Sequence, residues 1–281
     1  ATFAYLARHL ASYGFAVAVP EHPGSNGEQL AKLLQGFDQE ITPPQELIDR
    51  PLDIKYLLDE LSKKWSNIID INNVGLVGQS FGGYTALSNT GANFNLEKLA
   101  KNCQNLHDFI NISVLLQCRV LDLPKTNYQL QDDRIKAAIA INPLTSIIFG
   151  EEELNKIQVP LMLVAGSADT ITPALEEQIK PFTKLKNPQK YLALLENGTH
   201  FSTLAESETS IPLPTETMGP DPAIAHFYIK ALSLAFFKTY IAKDSSYKLY
   251  LSANYAKTIS NYIMPLSLLQ SLSQTDLKPE D

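Results

Sequence analysis

The residues best suited to chemistry are those of Gly78-Gln79-Ser80-Phe81-Gly82, inside the run Val74–Gly83. A Gly-x-Ser-x-Gly segment that follows an apolar strand-like run and precedes a helix-like one (Tyr84-Thr85-Ala86-Leu87) puts its serine on a tight strand-to-helix turn. There the backbone is strained and the hydroxyl stands clear of the sheet. Glycines on either side let neighbouring backbones approach without a Cβ clash. The following helix aims its first amides at the same spot and favours developing negative charge. Ser80 is therefore the candidate nucleophile.

A nucleophilic serine needs a base, and the base needs an orienting carboxylate. When the serine sits on such a turn, the acid and then the histidine are expected at the ends of later strands. Leu161–Gly166 runs into Ser167-Ala168-Asp169, and Lys190–Leu195 runs into Glu196-Asn197-Gly198-Thr199-His200. Asp169 and His200 are the candidate acid and base. Each has a plainer reading: an aspartate in a strand-to-helix loop often caps the helix, and a histidine after a strand is often a satisfied core or surface residue. Glu196, Asp132 and Asp133 as acids, and His9, His22, His107 and His226 as bases, do not stand at the expected strand end in the expected order. His22, just after Phe15–Val19, is read either as a pocket residue or as a turn residue bonded to local backbone. Gln79, beside the nucleophile, is a second candidate pocket residue.

The elements that must position these residues read as alternating strands and helices, the pattern of a mainly parallel sheet covered on both faces. Buried parallel strands appear as short continuous apolar runs. Five candidates fit: Phe15–Val19, Asn73–Gly78, Ile135–Ile141, Leu161–Gly166 and Lys190–Leu195. Helix periodicity precedes the first two, in Phe3, Leu6, Leu10 and in Ile54, Leu57, Leu58, Leu61. Residues 92–131 interrupt the alternation as a long insertion, and residues 206–222 read as a Pro- and Thr-rich loop. Ala223–Tyr240 and Tyr250–Leu272 read as helices of a C-terminal extension over residues 223–281. The chain is predicted to be one α/β domain of residues 1–281 carrying that insertion.

Composition narrows the function. The chain is 44% hydrophobic and 19% charged, which is globular rather than disordered or fibrous. No apolar run approaches the 18 or more residues that span a bilayer. A net charge of −7 argues against a nucleic-acid surface. No His/Cys ligand spacing or nucleotide-binding glycine pattern is present, so no metal and no cofactor is expected. Cys103 and Cys118 are too few for a disulfide scaffold or a cysteine-rich zinc site. They would be bridged in an exported protein and small buried hydrophobes in a cytosolic one.

Together these stretches resemble the α/β-hydrolase superfamily, in the branch of platelet-activating-factor acetylhydrolases and dienelactone-hydrolase-like serine esterases. The resemblance is carried by Tyr13–His22 with its strand ending in Glu21-His22, by Gly78–Gly83, by Ala165–Asp169 and by Gly198-Thr199-His200-Phe201-Ser202. It implies hydrolysis of small or lipid-like carboxylic esters through an acyl-enzyme, with the Phe81 amide as one oxyanion donor. A prolyl-oligopeptidase-type peptidase and a non-catalytic binding protein share the fold and are the alternative readings. Dienelactone hydrolases carry a cysteine where Ser80 stands, and Pro23 replaces the arginine that follows Glu-His in the acetylhydrolases. In such folds a strand and a His-Gly-rich loop precede the helix matching Ala1–Tyr13, and that strand lies between those matching Phe15–Val19 and Asn73–Gly78. The resemblance thus implies that the N-terminal strands and the second oxyanion donor lie outside this sequence. No secretory signal is visible from Ala1 onward, as would hold equally for a chain whose leader was removed or whose start lies upstream. The insertion falls where hydrolases place a cap, and Leu96, Leu99, Leu106, Phe109, Ile110, Leu115 and Leu116 would either line an acyl site or pack the insertion onto the core.

Overall fold

The computed structural model describes residues 3–25, 42–104, 111–205 and 219–277. Among them one sheet runs in the order β1 (Val74–Gln79), β2 (Ile135–Ile141), β3 (Leu161–Gly166), β4 (Lys190–Leu195) and β5 (Leu266–Leu269). The first four strands are parallel and β5 is antiparallel to β4. This is an α/β fold with helices on both faces of the sheet.

Side-chain alternation along β2 and β3 separates the two larger of three buried clusters. Ala138 and Ala140 of β2 and Leu161, Leu163 and Ala165 of β3 face Tyr84, Leu87, Leu99 and Phe149. Ala137, Ile139 and Ile141, with Met162 and Val164, face Leu6, Leu10, Tyr228 and Phe236. A strand covered on both faces has no polar position, which is why β3 reads Leu-Met-Leu-Val-Ala-Gly, buried throughout. Helix α1 (Ala4–Ser12) and the long α6 (Pro222–Tyr240) cover the second face. Helices α2 (Glu46–Trp65) and α3 (Phe81–Asn89) pack together on the first.

A proline couples those two helices. Pro51 lies inside α2 and has no N–H to give to the carbonyl four residues earlier. That carbonyl, Leu47 O, instead accepts the Tyr84 hydroxyl of α3 at 2.5 Å, while Asn89 Nδ2 donates to Pro51 O at 3.1 Å. The gap in the helix ladder thus becomes a docking point for the helix that follows Ser80.

Two sequence-based assignments are corrected. Phe15–Val19 forms no strand among the described residues, and Val17 and Val19 are 40% and 48% exposed. An apolar run signals a wish for burial, but a ladder also needs a partner, and β1 lies at the margin of the described sheet. Tyr250–Leu272 is not one helix. It holds the end of a 3₁₀ turn (Ser245–Tyr250), the short α7 (Ala253–Ile259) and then β5. Leu266 and Leu268 are buried against the edge of β4, and a four-residue alternation is too short to outweigh helical spacing across the window. The C-terminal extension therefore adds a strand to the sheet rather than being wholly helical.

The insertion comprises α4 (Leu96–Asn102), α5 (Ser113–Cys118) and a 3₁₀ turn (Arg119–Asp122), pinned by a Cys103–Cys118 disulfide. Leu99, Val114 and Val120 are buried in the same core as Tyr84. Leu96 and Leu116 lean on that core, and Leu115 is exposed. Leu106, Phe109, Ile110, His107 and most of the 206–222 loop lie outside the described residues. A bridge across a sequence separation of 15 removes roughly 3 kcal/mol of unfolded-chain freedom. Because the insertion shares the main core, reduction should lower the urea midpoint of the whole domain, by about 3 kcal/mol of unfolding free energy. An unchanged midpoint in dithiothreitol would show that the insertion does not unfold with the sheet.

Candidate active site

The parallel register brings the C-terminal ends of four strands to one edge: Gln79 pairs with Ile141, Ile141 with Val164, and Gly166 with Leu195. Ser80, Asp169 and His200 leave from that edge. Ser80 has φ 55° and ψ −118°, a conformation costing about 1–3 kcal/mol for a non-glycine residue. Its N–H donates to Ile141 O at 2.8 Å and its carbonyl accepts Tyr84 N–H at 3.0 Å, so the turn is fixed on both sides. The turn tolerates no Cβ at Gly78, which would overlap the Gly82 carbonyl, nor at Gly83, where it would stand 2.8 Å from Pro143 Cβ. The second glycine of the motif is different: a Cβ at Gly82 would meet only Arg50, at 3.7 Å. Its main-chain carbonyl, not its own missing side chain, is what the crowding concerns.

Asp169 and His200 form a buried pair, 4% and 6% exposed, with His200 Nδ1 2.7 Å from Asp169 Oδ2. Oδ1 accepts the amides of Ile171 and Thr172, both at 2.8 Å. The carboxylate caps no helix, the next helical turn (Leu175–Ile179) starting after Ala174; one oxygen holds the loop that follows Asp169 and the other holds His200. Thr172 Oγ1 stands 2.8 Å from Asp169 Oδ2, 3.2 Å from His200 Nδ1 and 3.1 Å from Asn142 O. Asn142, at φ 43° and directly after β2, accepts Gly166 N–H on its Oδ1 at 3.0 Å. The acid and histidine loops are joined by Ala168 N–H to Gly198 O at 2.9 Å, and Gly166 leaves no room for a Cβ against Gly198 O.

Gln79 ties this pair to the serine turn, its Nε2 donating to His200 O at 2.6 Å. The loop after β4 thus reaches back over the sheet edge to the residue before Ser80. Among the described residues no hydrogen bond engages Ser80 Oγ. Such contacts are often long without substrate and tighten in the complex.

His22 is 8% exposed; its carbonyl accepts Ser25 N–H at 3.1 Å in a local turn, while its ring Nδ1 is 2.7 Å from Asp53 Oδ2 on α2. Burial, and then the charge of Arg50, hold its pKa below the ordinary imidazole value despite Asp53. Arg50 itself is pulled down by burial to about 10 and remains cationic at neutral pH. Three of the other candidates contact residues outside this pair. Asp132 Oδ2 pairs with Arg134 at 2.6 Å, His226 stacks on Tyr5 at 4.1 Å, and His9 lies edge-on to Tyr13.

Thr172, Asn142 and Arg50 were not singled out from sequence. Thr172 carries a faint signal, three residues after the acid, and Asn142 another, a residue tolerant of left-handed backbone just past a strand. Arg50 carries none, being one cation among several on a helix. Among the described residues no cluster of His, Cys, Asp and Glu could hold a metal ion, and no helix is long and apolar enough to cross a membrane. Compared with known proteins, the chain matches no family model and no curated protein.

Proposed function

We propose that the chain is a serine hydrolase of carboxylic esters with an α/β-hydrolase fold, acting through Ser80, His200 and Asp169. The observation that carries this reading is the buried Asp169–His200 pair, joined through Gln79 to a serine held at positive φ on the same sheet edge. Ser80 Oγ attacks the ester carbonyl carbon as His200 Nε2 takes its proton. The tetrahedral oxyanion is held by the Phe81 amide, which as the first residue of α3 has no acceptor within its own helix. His200 gives the proton to the departing alkoxide, leaving an acyl-Ser80. Water, deprotonated by His200, then releases the acid and restores the serine. Asp169 keeps the Nδ1 proton on its own side and stabilises the imidazolium. Substrates are small or lipid-like acyl esters: Ser113 N–H donates to Ile171 O at 3.1 Å, so α5 begins beside the acid loop with Ile112 56% exposed, an apolar flank for an acyl chain.

A fluorophosphonate probe tests the reading. It should label the folded chain at Ser80 and abolish hydrolysis of a short p-nitrophenyl ester. Absence of labelling on folded protein would remove the proposal.

A further inference from the structure

We infer that Arg50 is a positioning residue of this site, clamping Phe81 so that its amide points at the developing oxyanion. The inference rests on the hydrolase reading above. Glu46, Arg50 and Asp53 follow one another at helix spacing and share one face of α2. That face reaches two segments at once. Towards the loop after Phe15–Val19, Arg50 Nη1 donates to Ser25 Oγ at 2.7 Å and Ser25 O at 3.3 Å, Ser25 Oγ donates to Glu46 Oε2 at 2.5 Å, and Asp53 holds His22.

Towards α3, the guanidinium lies over the Phe81 ring, its Cζ 4.6 Å from the centroid, while Tyr84 stacks with the same ring at 5.6 Å. Arg50 Nε also donates to Thr85 Oγ1 at 3.4 Å, and that hydroxyl donates to Phe81 O at 3.0 Å. Phe81 is thus gripped at its ring directly and at its carbonyl through Thr85. Phe81 N–H lies in the Ser80–Phe81 peptide, whose carbonyl accepts Tyr84 N–H at 3.0 Å; with the Phe81 ring and its own carbonyl held as well, both sides of the Phe81 Cα are fixed and that N–H keeps one direction. A lysine cannot substitute: an ammonium offers no plane to lay on the ring while binding Ser25 and Thr85 in a fixed fork. A misplacement of about 1 Å in a catalytic group costs as much as 10²-fold in rate.

The test uses the full chain with Arg50→Lys, Arg50→Met and Ser25→Ala, following p-nitrophenyl acetate hydrolysis, the fluorophosphonate labelling rate and the low-field proton resonance of the Asp169–His200 pair. Both Arg50 variants should lose roughly 10- to 100-fold in kcat and in labelling rate with KM nearly unchanged, and the low-field resonance should persist. Ser25→Ala, which keeps the cation and removes one anchor, should lose less. Should Arg50→Met fail to fold, Arg50→Lys and Ser25→Ala decide. An Arg50→Lys enzyme at the wild-type rate overturns the inference, and so does a loss that tracks disappearance of the resonance, which would mean a merely structural role. Wild-type protein that takes no label at Ser80 overturns the hydrolase reading itself; wild type labelled and Arg50→Lys unchanged overturns only this inference.

Discussion

Ser80→Ala is expected to lower hydrolysis of a short p-nitrophenyl ester by at least about 10⁴-fold while leaving the chain folded. Loss of a triad serine typically removes about 10⁶ in turnover, and what remains comes from binding and the oxyanion site. A factor of 10⁴ corresponds to about 5.5 kcal/mol of transition-state stabilisation. The loss can be assigned to chemistry because among the described residues Ser80 Oγ holds no hydrogen bond whose removal would unfold anything. A companion variant sharpens the point. At φ 55° and ψ −118° a glycine is unstrained, so Ser80→Gly should be inactive yet more stable than wild type by about 1 kcal/mol, the strain released less the added chain freedom. If either variant keeps more than about a tenth of the wild-type rate, Ser80 is not the nucleophile.

The strand ends that gather this site were legible because their signals are local. A buried parallel strand must be apolar at every position, and the glycines of the Ser80 turn, like the Asp169 and His200 loops, follow directly in the chain. What escaped was decided by distant partners. β5 exists because Leu266 and Leu268 find the open edge of β4, and Phe15–Val19 has no strand among the described residues to pair with. Burial of charge was equally hidden. In Leu175-Glu176-Glu177-Gln178 nothing distinguishes the two glutamates, yet Glu176 pairs with Lys180 at the surface, 2.6 Å away, while Glu177 is fully buried on a π-helical turn. Its carboxylate accepts Asn111 Nδ2 at 2.5 Å, Ser113 Oγ and Gln117 Nε2 at 2.8 Å, and Ser146 N–H at 2.7 Å. Donors from the insertion and from the loop after β2 make that burial tolerable, and none of them is near Glu177 in the sequence.

Asp169→Asn should be nearly as damaging to catalysis as loss of the serine, about 10⁴-fold at neutral pH, with a small effect on folding. The hydrogen-bond geometry says why. The amides of Ile171 and Thr172 both point at Oδ1, so the asparagine oxygen must occupy that position; the reverse orientation would set an NH₂ against two N–H donors. The NH₂ then takes the place of Oδ2 and donates to His200 Nδ1, where the carboxylate accepted at 2.7 Å. His200 is left with its proton on Nε2, the nitrogen that must be empty to receive the Ser80 proton. Thr172 Oγ1 can turn its hydrogen to Asn142 O, 3.1 Å away, and accept from the new NH₂, so no polar atom is stranded. Steady-state rates on a p-nitrophenyl ester, alongside the low-field Nδ1 proton resonance, check both halves: the rate should collapse and the resonance vanish together. A folded Asp169→Asn chain that keeps more than a tenth of its rate would mean that the tautomer of His200 does not matter, and with it the acid–base role assigned to this pair.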